Sequence, residues 1–136
     1  MEIITDKNFE YLSWHDNFVY SILFPDINNN FNLIVDYIIE WINVDNEGYK
    51  FKVAPAIITF ENVDDLIIQI SFGKNGDLFI EEITRDDKHL SPNGEVFMWR
   101  YTILLNVGKI EFLSTGFHQV FTDFPKIGVD QKYDGT

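Results

Sequence analysis

Apolar residues recur at every second position over much of the chain, in short runs separated by turn formers. Side chains of a strand alternate between two faces, so this period points to β-strands rather than helices. In "NFVYSILFP", Phe18, Tyr20, Ile22 and Phe24 are expected on one face. In "FNLIVDYIIEWI", Leu33, Val35, Tyr37, Ile39 and Trp41 share a face, and Asn32, Ile34, Asp36, Ile38 and Glu40 the other. These two runs are expected to pair as a hairpin across Asn28, Asn29 and Asn30. "YKFKV" places Tyr49, Phe51 and Val53 inward and Lys50 and Lys52 outward. Pro55 lacks an N–H and is expected to bend or break that strand before "AIITF" resumes it.

Further on, "ENVDDL" at 61–66 reads as a helical turn or a loop. "LIIQISFG" and "LFIEEITR" flank "KNGD", where Asn75-Gly76 suits a tight hairpin turn. "SPNG" at 91–94 has the chemistry of a turn, with Pro92 second and Gly94 closing it. "EVFMWRYTILLN" and "KIEFLSTGFHQVF" form a last large hairpin, with Phe97, Trp99, Tyr101, Ile103 and Leu105 on one face and Gly116 at a bend or bulge. The pattern therefore predicts an all-β fold, mainly antiparallel. The form expected is a sandwich or partly open barrel of about eight strands with at most a short helical turn.

Composition agrees. The 136 residues suit one domain over 1–136, with a polar tail at 128–136 expected to fray. Aromatic residues make up 16% and alanine occurs only at Ala54 and Ala56, a balance that favours strands over helices. Charge changes the functional picture. Ten Lys+Arg stand against 22 Asp+Glu, a net charge of −12, which disfavours nucleic acid and anionic membrane surfaces and favours a basic protein partner. Cysteine is absent, so disulfides, thiol catalysis and zinc–thiolate sites are excluded. "MEIITDKNFE" has neither a basic region nor a long apolar run, so no secretory signal is expected and the location expected by elimination is cytoplasmic.

Chemistry-bearing residues are few. No nucleophile elbow, phosphate loop or dinucleotide fingerprint occurs. His89 lies in polar "DDKHL" and is expected to be solvated. His15, Asp16 and His118 form one candidate polar cluster, since His and carboxylates can build a metal or acid–base site. Their alternative role is structural, with Trp14 anchoring the chain, Asp16 or Asn17 capping backbone and His15 bridging to another element. Asp36, Glu40 and Arg100 form a second set. The two carboxylates would stand about 13 Å apart on one strand face, too wide for a glycosidase pair. A buried carboxylate beside Val35 and Tyr37 needs a partner, and Arg100 is the candidate. No cofactor or metal is expected.

The order "WHDN", "DYIIEW", "FKVAPAIITFENVDDLII", "GKIEFLSTGFHQV" and a final Pro and Gln resembles a family of small uncharacterised bacterial β-rich proteins, over roughly Trp14 to Gln131. More loosely, Trp14 and Asp16 are similar to the W-x-D-type motif of immunity proteins from bacterial toxin systems. That resemblance implies a domain that binds and neutralises a cognate toxin and carries over no catalytic residues. Three functions follow, in order of preference. The first is an acidic interaction domain for another, basic protein, an immunity-type protein among the candidates. The second is an enzyme or metal-binding protein using His15, Asp16 and His118. The third is a β-barrel that binds a small ligand among aromatic side chains. Homodimerisation is expected as a way to cover a face or edge.

Overall fold

A computed structural model describes residues 3–73 and 76–134. Ten strands are formed among the described residues: β1 (Ile3–Thr5), β2 (Asn17–Leu23), β3 (Phe31–Val44), β4 (Gly48–Glu61), β5 (Asp64–Ile70), β6 (Phe79–Leu90), β7 (Phe97–Leu105), β8 (Gly108–Ser114), β9 (Gly116–Phe121) and β10 (Lys126–Gly128). A 3₁₀ turn covers Asp6–Tyr11. All strand pairs are antiparallel, and the sheet order is β1-β9-β4-β3-β2-β6-β7-β8-β5, with β10 added to β4. The fold is thus all-β and mainly antiparallel, built on one unclosed sheet. Two of the strands beyond the expected eight, β1 and β10, are only 3 residues each.

The sheet folds over on itself. β2 joins the two halves, pairing with β3 along most of its length and with β6 only at Asn17 and Phe18. Large rings then meet across the interior. Phe112 of β8 lies 5.5 Å from Phe31 of β3 and 4.7 Å from Phe60 of β4, centroid to centroid. Tyr101 of β7 lies 5.2 Å from Phe60 and 6.3 Å from Phe117 of β9. These five side chains are almost completely buried. Aromatic pairs in such edge-to-face geometry contribute about 0.5–1.5 kcal/mol each beyond their buried area. The rings therefore interlock across the interior between the two halves of the sheet. Phe9 of the 3₁₀ turn closes one end, against Trp14, Tyr101 and Phe117.

Two β-bulges change which residues share a face. In β2 the register slips between Val19 and Ser21, so Val19 and Ile22 join the core while Phe18 and Tyr20 turn to the opposite, outer side. The expected common face of Phe18, Tyr20, Ile22 and Phe24 is corrected accordingly. In β3 one extra residue lies between Ile38 and Glu40, where Ile38 opposes Val53 and Glu40 opposes Lys52. A single extra residue inverts every later side chain. Trp41, paired with Phe51, moves to the face of Ile38, and Glu40 leaves the face of Asp36.

Other expectations are corrected by pairing. β4 runs unbroken through Pro55. The Pro55 carbonyl accepts a bond from Thr122 N–H at 2.9 Å, so its imide nitrogen also faces away from β3. There it falls between the stretches of β4 paired with β9 and with β10, and the β3–β4 ladder loses no donor. The stretch 61–66 contains no helix but a turn at Asn62, in the left-handed region, leading directly into β5. β5 pairs with β8 and not with β6. The Asn75-Gly76 turn expected between them includes residues 74 and 75, which lie outside the described residues. Ser91–Gly94 does form the β6–β7 turn. The run 109–121 breaks at Thr115, between β8 and β9, which belong to opposite halves of the folded sheet. Ser114 Oγ and Thr115 N–H both donate to the Glu61 carbonyl, at 2.7 and 3.1 Å, and hold this corner.

Candidate functional site

The outer face of β2, β3 and β4 gathers the molecule's least ordinary chemistry. Asp36 is fully buried on β3, opposite Phe18 and Pro55. Its Oδ2 accepts two bonds, from the Tyr20 hydroxyl at 2.5 Å and from the Tyr133 backbone N–H at 2.8 Å. Its Oδ1 is buried without a partner among the described residues. Burial pushes the carboxyl above the ordinary aspartate value, against the opposing pull of the two donors. The Tyr20 phenol is also raised, first by its own burial and then by its bond to Asp36. A protonated Asp36 would carry its proton on Oδ1 and leave Oδ2 free for both donors.

This network anchors the end of the chain. Among the described residues of the 128–136 segment, Gln131, Lys132 and Tyr133 bond back to the rest of the fold. Tyr133 OH donates to the Phe124 carbonyl at 2.8 Å, Gln131 Nε2 to Asp16 Oδ2 at 3.3 Å, and Lys132 Nζ meets Asp77 at 2.9 Å. Ile38, Phe51 and Val53 form a small second core beneath Tyr133. Phe51 and Val53 are therefore buried, but under the C-terminal segment rather than in the main core, and Tyr49 stays exposed.

Asp36 does not pair with Arg100, contrary to expectation. Arg100 reaches from β7 across β8 to Asp65 of β5, at 3.1 Å. Glu40 is exposed beyond the bulge. The three residues of this set are thus not brought together.

His15, Asp16 and His118 are not brought into one constellation either. His15 Nδ1 lies 3.0 Å from the Glu81 carbonyl, and its Nε2 lies 3.5 Å from Asp16 Oδ1. Asp16 takes a positive φ of 64°, which a short polar side chain tolerates, and its N–H donates to the Ile80 carbonyl at 2.8 Å. His118 sits on β9 between Thr5 and Thr59, with its Nδ1 3.0 Å from Glu61 Oε1. Among the described residues, no three of His, Asp or Glu converge as a metal-holding group.

The neighbours of His15 and His118 in sequence do meet. Trp14, buried in the core, donates its indole N–H to Gln119 Oε1 at 2.8 Å. Gln119 is fully buried and its Nε2 has no partner among the described residues. Asn17, also fully buried, accepts the Ile38 N–H at 3.3 Å, so it ties β2 to β3 rather than capping its own strand. A further polar centre was not signalled by the sequence. Arg85 of β6 is sandwiched between the rings of Phe9 and Trp99, at 4.4 and 4.1 Å, and donates to Tyr101 OH and to Asp6.

The same outer face ends in an exposed aromatic cluster. β3 and β4 are each 14 residues long and turn through Asp45, Asn46 and Glu47. Trp41, Tyr49 and Phe51 cluster there, with Trp41 5.0 Å from Phe51 and 6.0 Å from Tyr49. Trp41 remains 43% and Tyr49 53% exposed. His15 stacks beside Trp41 at 6.4 Å. The turn that joins the two strands at this tip carries the exposed acids Asp45 and Glu47. Comparison with protein families, with curated proteins and with solved structures finds no match.

Proposed function

We propose that the protein is an acidic protein-interaction domain that grips a basic partner with the tip of the β3–β4 hairpin. The observation that carries this reading is the exposed Trp41–Tyr49 pair at a hairpin tip whose turn carries Asp45 and Glu47, in a chain of net charge −12. Tryptophan and tyrosine are the residues that most often dominate binding energy, and a carboxylate rim selects and steers a basic surface. The hairpin offers these rings on strands whose bases are fixed in the sheet, which lowers the ordering cost of binding. A basic toxin of the kind that immunity proteins neutralise is one partner of this chemistry. A second copy of this acidic chain does not meet the charge requirement.

The test is affinity capture run in parallel with the native protein and a Trp41→Ser/Tyr49→Ser variant. The reading expects a stoichiometric basic protein bound by the native chain at low salt, lost from the variant and reduced at high salt. Equal recovery by both forms, or a captured partner that is acidic, would count against it.

A further inference from the structure

The two outer faces of the folded sheet differ in charge. Residues directly opposite each other in an antiparallel ladder point to the same side. The register therefore sets two adjacent rows across β1, β9, β4 and β3. One row is apolar: Ile3, Val120, Ile57 and Ile34. The row beside it is Thr5, His118, Thr59 and Asn32. Both rows face away from the core, which takes the alternate positions Ile58 and Phe60 of β4 and Leu33 of β3. Neither row holds an acid, and His118 is the one titratable side chain in them. The nearest acid along β4 is Glu61, and its Oε1 lies 3.0 Å from His118 Nδ1. We propose that two copies of the chain associate through this face, as a two-fold dimer with the apolar row of one copy set against that of the other.

The opposite outer face shows how this chain treats a sheet surface left to water. There Glu82 opposes Leu104, which opposes Lys109, and Asp86 opposes Arg100. Thr102 opposes Glu111, whose Oε1 lies 2.9 Å from Lys109 Nζ. Charge is thus spread across β6, β7 and β8 and is missing from the two rows on β1, β9, β4 and β3. Charge also selects the occupant. A basic partner would find no free carboxylate in these rows. Two copies that each carry −12 repel one another, so close approach is least opposed through a face without acids.

The shape suits self-association. Each copy offers the same row, and a two-fold axis lying over it sets that row against its own copy. Val120, Ile57 and Ile34 are half-buried by their neighbours, and Ile3 is 63% exposed. β-Branched side chains on a pleated surface interdigitate when two sheets stack about 10 Å apart, and their remaining apolar area then leaves water. Two short rows make a small interface, so the dimer is expected to be weak, with a dissociation constant of about 1–100 μM.

Sedimentation velocity of the whole protein, from about 1 μM to 1 mM, tests the proposal across that range. The native chain is expected to pass from monomer to dimer. Raising salt from about 50 to 500 mM should strengthen the dimer, because it screens two like-charged molecules, whereas it weakens binding of a basic protein. Ile57→Glu places an acid in the apolar row and should weaken the dimer by about tenfold or more. Circular dichroism checks its fold. Should it unfold, Ile57→Thr keeps a β-branched residue in the strand and should weaken the dimer by about threefold or more. Thr84→Glu, an exposed position on the opposite outer face, should dimerise as the native chain does. A monomer at every concentration, an unchanged dimer in the folded Ile57 variant, equal loss in Thr84→Glu, or a dimer that weakens as salt rises would each overturn the assignment. The Trp41→Ser/Tyr49→Ser variant should dimerise normally, so failure here and failure of the partner-binding tip are told apart.

Discussion

Replacing Trp14 with phenylalanine removes one donor from a buried pair while keeping an aromatic ring in place. Gln119 Oε1 now accepts the Trp14 indole N–H at 2.8 Å, and Gln119 Nε2 already lacks a partner. With the indole gone, a fully buried amide has neither end satisfied. An orphaned buried acceptor costs about 1–3 kcal/mol, and the smaller ring leaves a gap worth about 1 kcal/mol more. The single substitution should therefore destabilise by about 2–4 kcal/mol. That is a large share of the roughly 5–15 kcal/mol available to a domain. Gln119→Leu alone orphans the indole N–H instead and should cost about 1–3 kcal/mol. The double variant Trp14→Phe/Gln119→Leu removes donor, acceptor and the unpartnered amide together. It should be more stable than the sum of the singles by at least about 1 kcal/mol. Urea unfolding followed by circular dichroism measures all four proteins, with midpoints shifting at constant slope. Effects of the two singles that add to within about 0.5 kcal/mol would show that the buried pair is not coupled, and the reasoning would be refuted.

Arg85→Lys should destabilise by about 1–3 kcal/mol in the same assay, since an ammonium cannot stack between Phe9 and Trp99 while donating to both Asp6 and Tyr101; no change would mean that the guanidinium plane is not used. Asp36→Asn should alter the pH profile. Because the folded carboxyl is raised above its ordinary value of 3.8, the native protein holds a proton there that the unfolded chain has released, and its stability falls as pH rises through that window. The variant should lack this fall, so the native-minus-variant stability difference becomes more negative from about pH 4 upward; parallel profiles would contradict it. Gly116→Ala places a Cβ 2.9 Å from the Asp6 carboxyl at a φ of +149° and should cost about 1–3 kcal/mol in thermal unfolding, whereas an unchanged midpoint would mean that the corner readily rearranges.

The strands were legible in the sequence because their alternation comes from burial of one face, which acts locally. The β2–β3, β6–β7 and β7–β8 hairpins followed from turn chemistry between such runs. What alternation alone could not show were the two bulges, since an inserted residue leaves the pattern intact on each side and changes only the pairing. Trp41 was for that reason grouped with Leu33, Val35 and Tyr37 and is found on the opposite face. The β5–β8 pairing and the β8–β9 corner are long-range, set by how the sheet folds over, and Gly116 was their only local sign. For Asp36, the need for a partner could be read from its apolar neighbours, but neither partner could: Tyr20 is the bulged residue of β2 and has no register partner, and Tyr133 arrives from a polar tail 97 residues away. His15 and Asp16 drew notice as an adjacent pair, while the residues that bond across the fold are Trp14 and Gln119 beside the two histidines.

The central claim is that the β3–β4 tip recognises a basic protein. Titration of the captured partner with purified native and Trp41→Ser/Tyr49→Ser proteins, at low and at high salt, tests it most directly. Loss of one hot-spot ring commonly costs about 2 kcal/mol or more, so the account predicts a dissociation constant at least about thirtyfold weaker for the variant, and weaker binding of the native protein as salt rises. Equal dissociation constants for the two proteins would contradict it.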